Sequence, residues 1–260
     1  MVQNKVTVGV IPAAGSGKRF GYLSGMLPKA MLPLYDRPII HYVVDQMQNM
    51  GIEDIYIVVN VQKDKIIDYF RRFQMDLKAN VYFIEQTVLN GTGESILCAE
   101  KYVNNRPFLV MYGDDCTISE SLSEMSTSFL KTDAIVMQGM IQETDKDVLR
   151  DTCSAKLAKN GKIIDIIEKP ENPPYSLRGC GVFMFRPEIF SYIRKTPFEA
   201  ARKEREIIYT INDLSKLNKA YGFLIKGYNI NINDYNQLLT ASQILKDNKM
   251  KSRRIVKVLF

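Results

Sequence analysis

Val6-Thr7-Val8-Gly9-Val10-Ile11-Pro12-Ala13-Ala14-Gly15-Ser16-Gly17-Lys18-Arg19-Phe20-Gly21 decides the fold, because an apolar, β-branched run breaks directly into a turn of small residues. Such a strand, when a helical pattern follows, opens a βαβ unit. Apolar β-rich runs recur at 55–59, 81–84 and 108–111. Between the first two, residues 38–50 put Ile39, Ile40, Val43, Val44, Met47 and Met50 on one helical face, with Pro38 at the start and Gly51 at the stop. Residues 63–73 repeat the pattern through Ile66, Ile67, Phe70 and Phe73, and a third helix is predicted over 92–102. Three crossover helices in succession imply a doubly wound, Rossmann-like α/β sheet.

Beyond Asp115 the rhythm changes. Strands are predicted over 134–140, 154–157, 162–167 and 180–185, and Asn160-Gly161 between the second and third signals a hairpin. Helices are predicted over 187–194, 211–217 and 234–247, with short strands at 223–225 and 229–232. No repeat, low-complexity tract or linker intervenes. The expectation is a single domain over 1–260, a mixed sheet with a parallel half, 1–115, and a partly antiparallel half, 116–260, that ends in a helix.

The 260 residues are 46% hydrophobic and 25% charged, which excludes disorder, collagen and a small disulfide scaffold. A chain of this length buries about 75% of its unfolded surface without metal or disulfide staples. Lys plus Arg exceed Asp plus Glu by six, spread along the chain apart from a basic tail at Lys249, Lys251, Arg253, Arg254 and Lys257. That surplus suits an anionic ligand. Nucleic-acid binding would call for a concentrated stripe with interleaved aromatics or a binding module, and neither is present. The four cysteines, Cys98, Cys116, Cys153 and Cys180, stand far apart, and His41 is the one histidine, so zinc and a disulfide framework are disfavoured. No signal-peptide pattern and no bilayer-length apolar run is found, so the expected location is the cytoplasm, with no membrane partner.

The turn that leaves the first strand lets backbone N–H groups approach an anion, because Ala13, Ala14, Gly15, Ser16 and Gly17 are small. It is neither a Walker loop, since Arg19 follows Gly17-Lys18, nor a dinucleotide fingerprint, which Gly21 misses by one position. Prolines at 28 and 33 stiffen the path around Lys29, and Arg19 with Lys29 beside a glycine turn makes a reasonable polyphosphate clamp. Met111-Tyr112-Gly113-Asp114-Asp115 ends the fourth strand at the edge where open α/β sheets bind ligands, and a carboxylate there suits Mg²⁺. Asp115 reads as a turn aspartate.

These residues resemble the sugar-1-phosphate nucleotidyltransferases, whose members make nucleotide sugars from a nucleoside triphosphate and a sugar 1-phosphate. The match runs A-G-x-G-x-R, P-K-x-x-L-P, then Gly51-Ile52, Gln86 to Gly91, Gly113-Asp114 and Glu168-Lys169-Pro170. The resemblance implies a GT-A-like fold whose first half binds nucleotide and whose second half binds sugar phosphate. It implies that Arg19 and Lys29 grip the triphosphate, that the glycine turn cradles its phosphates, and that Gln86 and Gly91, with Thr92, read a uracil or thymine edge. It also implies that Asp114 holds Mg²⁺, that Glu168 accepts sugar hydroxyls, that Lys169 neutralises the sugar phosphate, and that Gly181 lies on the strand over the sugar. UTP or dTTP is the implied donor, and a homo-oligomer the implied assembly.

Two positions depart from the family pattern. Thr152-Cys153 stands where many relatives have tyrosine-glycine, and Asn231 stands where the second metal aspartate usually sits, with Asp234 as the alternative ligand if the register slips. An asparagine carbonyl still suits Mg²⁺, with one negative charge lost. Residues 11–19 resemble even more closely the cytidylyltransferases that activate small alcohol phosphates, although the middle of the chain favours the sugar type. Together the two departures leave a further alternative, a nucleotide-sugar-binding regulatory subunit without catalysis.

Overall fold

The computed structural model describes residues 5–253 apart from Ser16, Ala201 and Arg202. Ser16 of the phosphate turn and the side chains of the basic tail therefore lie outside the described set. Strand β1 (Val8–Pro12) leads through the short helix α1 (Tyr22–Met26) and a hairpin, β2 (Pro33–Leu34) with β3 (Arg37–Pro38), to helix α2 (Ile39–Asn49). Then come β4 (Asp54–Val59), α3 (Lys63–Arg72), β5 (Asn80–Glu85), α4 (Thr92–Leu97), α5 (Glu100–Val103) and β6 (Phe108–Met111). The second half runs β7 (Asp115–Ser119), α6 (Leu122–Leu130), β8 (Val136–Gln142), α7 (Lys146–Asp151), β9 (Cys153–Leu157), β10 (Ile163–Glu168) and β11 (Leu177–Phe185). It closes with α8 (Ile189–Lys195), α9 (Ile207–Lys216), β12 (Ala220–Leu224), β13 (Gly227–Asn231) and α10 (Tyr235–Arg253).

Strands β5, β4, β1 and β6 lie side by side and parallel, and β11 joins β6 antiparallel. Chain order reverses between β1 and β6, so their carboxyl ends flank a topological switch point, where a crevice opens. Alternate strand residues feed two cores, as a period of two requires. Ile55 and Ile57 pack in the core that contains Val43 and Met47 of α2, whereas Val8, Val10 and Phe108 pack in the one that contains Ile211 of α9. Gly9 faces α2, where a Cβ would lie 2.7 Å from the Met47 sulfur.

The doubly wound half and the hairpin at Asn160-Gly161 follow the sequence expectation, the hairpin as the antiparallel pair β9–β10. The single helix expected over 92–102 is instead two, because tight bonds from Ala99 N–H to Ile96 O and Tyr102 N–H to Ala99 O break it at Cys98-Ala99. Strand β7, helix α6 and helix α7 were not expected. β7 pairs antiparallel with β13, which carries the end of the chain back beneath the crevice. Among the described residues no helix is long and apolar enough to cross a membrane.

Candidate active site

A cleft of about 460 Å³ opens at the switch point, a size usual for small-molecule sites. At one end the turn after β1 contributes Ala14 and Gly15 to its wall. Ala13 does not line it, and its N–H is spent on Val58 O at 2.8 Å. Gly17 turns the chain in the left-handed conformation (φ 61°), and a Cβ there would sit 3.1 Å from Lys29 Cβ. The glycine thus lets the turn close on the lysine segment.

Lys29 reaches the end of β6. Its ammonium lies 2.6 Å from Asp114 Oδ2 and 2.8 Å from Asn233 Oδ1, with 10% of the lysine side chain exposed. A cation therefore already stands between a carboxylate and an amide carbonyl, at the rim where phosphates would arrive. Asn231 lies opposite Asp115 in the β13–β7 ladder, lines the same cleft, and holds its Oδ1 buried with no hydrogen-bond partner. Asp234 does not line the cleft; its Oδ1 accepts the Gln237 N–H at the start of α10. Among the described residues no three His, Cys, Asp or Glu side chains form a metal cluster. Asp114, with the amide oxygens of Asn231 and Asn233 in the same cleft, still fits Mg²⁺, which takes few protein ligands and fills its shell with phosphate and water.

Asp115 corrects the sequence reading. It is not a turn residue but the first residue of β7, 3% exposed, and its Oδ2 accepts the Gly181 N–H at 2.7 Å. Burial raises its pKa, opposed by the Asn229 hydrogen bond and the Arg178 charge. Gly181 is required there, since a Cβ would lie 2.5 Å from that carboxylate.

Across the cleft, Glu168 ends β10 and Lys169 follows with φ 44°, a conformation unusual for a residue with a side chain. Its N–H donates to Thr152 O at 2.7 Å, which pins the turn. Glu168 and Lys169 pair at 3.3 Å. Arg19, more than half exposed, spans the mouth to Asp151 of α7 at 3.7 Å.

Gln86 and Thr92 line the remaining wall. Gln86 Nε2 donates to Val88 O at 2.9 Å, and Thr92 Oγ1 donates to Glu206 at 2.7 Å while accepting the Ile207 N–H. Gly91 (φ 107°) permits a close crossing, because a Cβ there would lie 2.5 Å from Arg205 N. The crossing is sealed by bonds from Gly93 N–H to Arg205 O and Arg205 N–H to Asn90 O, each 2.8 Å.

Apart from Ala13, the expected residues that lie within the described set thus gather at or beside the same cleft. Sequence reading missed Arg178, Gln138, Asn233 and Glu206. Arg178 on β11 is 3% exposed, donates to the Asn229 side chain and carbonyl at 2.7 and 2.6 Å, and pairs with Glu143 at 3.6 Å. Its signal was an arginine inside an otherwise apolar strand, Leu177 to Phe185. Asn233 could have been found as a second amide two residues after Asn231.

The nucleotidyl transferase family profile matches residues 8–247. A UTP–glucose-1-phosphate uridylyltransferase from Staphylococcus epidermidis is 28% identical over 275 residues, covering 95% of each chain. The bifunctional protein GlmU of Methanocaldococcus jannaschii is 31% identical over 92% of this chain, which spans about half, 54%, of that longer relative. A crystal structure of UDP-glucose pyrophosphorylase complexed with UDP-glucose superposes with a TM-score of 0.83 at 25% identity, covering 94% of this chain and 99% of the other. With the profile spanning nearly its whole length and the fold shared throughout, the chain belongs to the nucleotidyl transferase family.

Proposed function

We propose that this enzyme joins a sugar 1-phosphate to UTP or dTTP, forming a nucleotide sugar and releasing pyrophosphate. The observation that carries the reading is the placement of Lys29 between Asp114 and Asn233 at the switch point, with Glu168 and Lys169 on the facing wall of the same cleft. The relatives named for UTP and glucose 1-phosphate support the sugar reading over a cytidylyltransferase acting on small alcohol phosphates.

In this reading Ala14 and Gly15 offer backbone to the triphosphate, Arg19 and Lys29 grip it, and Gln86 with Gly91 and Thr92 meets the base. Lys169 neutralises the acceptor phosphate and Glu168 accepts sugar hydroxyls. An acceptor phosphate oxygen bonds to the α-phosphorus while the bond from that phosphorus to the bridging α–β oxygen breaks, and pyrophosphate leaves with the electron pair. The nucleophile is already anionic at neutral pH, so no side chain has to take a proton. His41 fits that economy, since it lies buried in α2 against the Tyr69 hydroxyl. Asp114, with Asn231 or Asn233, would hold Mg²⁺. When bound, the ion supplies positive charge that lets two phosphate groups approach. The protein's remaining contribution is position and charge in a fixed cleft.

The test is pyrophosphate release on mixing the protein and Mg²⁺ with each of four nucleoside triphosphates and a panel of sugar 1-phosphates and small alcohol phosphates. Release with UTP or dTTP and a sugar 1-phosphate is expected. Release only with CTP and an alcohol phosphate would replace the reading with the cytidylyltransferase one. Silence in every combination would leave a binding protein without catalysis.

A further inference from the structure

Gln138 sits in the middle of β8, between Met137 and Gly139, in a stretch that is otherwise apolar or glycine and buried. It is 1% exposed, yet it lines the cleft. Its Nε2 donates to Cys180 O at 3.2 Å, and its Oε1 is buried with no partner. That contact settles which way round the amide lies, since the reverse would set two carbonyl oxygens against each other. The unsatisfied group is therefore an acceptor. An orphaned acceptor costs stability in a core and persists where something else completes it.

The strand beside it is shaped to make room. The β8–β11 ladder pairs Gly179 with Met140 and then resumes at Phe183 with Gln138, so β11 bulges over the residues between. Bulges of this kind recur next to active sites. A Cβ on Gly179 would run into the Gln138 amide and lie 2.8 Å from Cys153 Sγ. Cys153 itself stands on the side of Glu168 and Lys169, paired with Glu168 across β9–β10.

We infer that Gln138 is a specificity-determining residue for the acceptor: its Oε1 takes a hydrogen bond from a hydroxyl or amino hydrogen on the sugar ring, away from the phosphate. The inference rests on the sugar 1-phosphate reading above and deepens it by naming the atom that reads the ring. A site built to bond a substrate hydroxyl discriminates sharply against an analogue that lacks it, because the buried partner is then left unpaired. Oε1 can only accept. A fluorine in place of the hydroxyl, which accepts but cannot donate, is therefore no better than hydrogen.

The experiment uses the full chain, UTP or dTTP, Mg²⁺, and monodeoxy and deoxyfluoro analogues of the sugar 1-phosphate it uses best, in the native protein and in Gln138→Met. The native enzyme should lose about tenfold to a hundredfold in kcat/KM for one ring position. Deoxy and deoxyfluoro forms should lose alike. In Gln138→Met the acceptor KM should rise about tenfold or more, the nucleotide KM should stay within about twofold, and the penalty at that one position should vanish while the others remain. A penalty of equal size in both proteins, or a parallel rise of both KM values, overturns the inference alone. Should Gln138→Met fail to fold, the native series decides: acceptance of every monodeoxy analogue within about twofold overturns it. No product from any sugar 1-phosphate overturns the acceptor reading, and this inference with it.

Discussion

The end of the cleft proposed for the nucleotide is built around a turn of small residues. Ala14, Gly15 and Gly91 line the wall with little or no side chain, and the two long cations beside them, Lys18 and Arg19, are exposed, Arg19 by 57%. At the end proposed for the acceptor the walls are side chains from strands that meet only in three dimensions: Gln138 of β8, Cys153 of β9 and Arg178 of β11, with Asp115 of β7 among them, each no more than 3% exposed. A triphosphate is a generic polyanion that peptide N–H groups can hold. A sugar ring has to be told from other rings, and that takes aimed donors and acceptors. The first end can be built from a short local motif, whereas the second needs the whole sheet to be in register.

The largest expected effect separates the two ends by stability. Arg178→Met removes a buried charge from between Glu143, Asp115 and Asn229, and should cost about 3–5 kcal/mol in urea unfolding. Arg19→Ala removes an exposed pair to Asp151 and should stay within about 0.5 kcal/mol of the parent. Equal urea midpoints for Arg178→Met and the parent would break the contrast, since the acceptor end would then be no more tightly built than the mouth.

Next in size is the junction between the ends. Lys29→Ala and Asp114→Ala should each lower kcat by about a hundredfold to a thousandfold, the cost of deleting one preorganised charge in a catalytic site. Circular dichroism should show both folded, because neither residue belongs to a hydrophobic core cluster. Turnover within tenfold of the parent in both variants would place the chemistry elsewhere.

What could be read from the chain divides along the same line. The glycine turn, Lys29 and Asp114 were legible because each is a contiguous signal: small residues after a strand, a lysine between prolines, a carboxylate at a strand end; Glu168-Lys169 stood out only through the resemblance to the family's E-K-P. The parallel half was legible for a related reason, since its strands and crossover helices carry clean periods of two and 3.6. Strand β7 was not, because Asp115 and Thr117 are polar and look like loop until the β13 ladder pairs them and buries both. Arg178, Gln138 and Asn233 stayed hidden because the partners that give them a role lie far along the chain: 51 positions from Arg178 to Asn229, 42 from Gln138 to Cys180 and 204 from Lys29 to Asn233. A deep arginine in an apolar strand announces a buried network without saying with what.

The smallest effect asks whether burial is alike at the two ends. Cys116 packs with Phe20, Leu32 and Ile39 behind the phosphate turn, while Cys153 lies at the acceptor end and accepts the Gly179 N–H at 3.2 Å. Burial pushes both thiols up to about 12. A thiol whose folded-state pKa is raised keeps its proton in the native protein at a pH where the unfolded chain, titrating near 9, has lost it. The unfolded state then binds fewer protons, so stability falls as pH rises between about 9 and 12, by up to about 1.4 kcal/mol per pH unit for each such thiol, and is untouched below that window. Urea unfolding at pH 8, 9, 10 and 11 measures the slope. Cys116→Ala and Cys153→Ala should each flatten it by that amount, whatever constant cost the lost sulfur adds at every pH, since a packing loss shifts the line without tilting it. Flattening in Cys116→Ala but not in Cys153→Ala would mean that water reaches the acceptor end in solution. A wet acceptor end would satisfy the Gln138 carbonyl without a sugar, and the discrimination assigned to it would shrink accordingly.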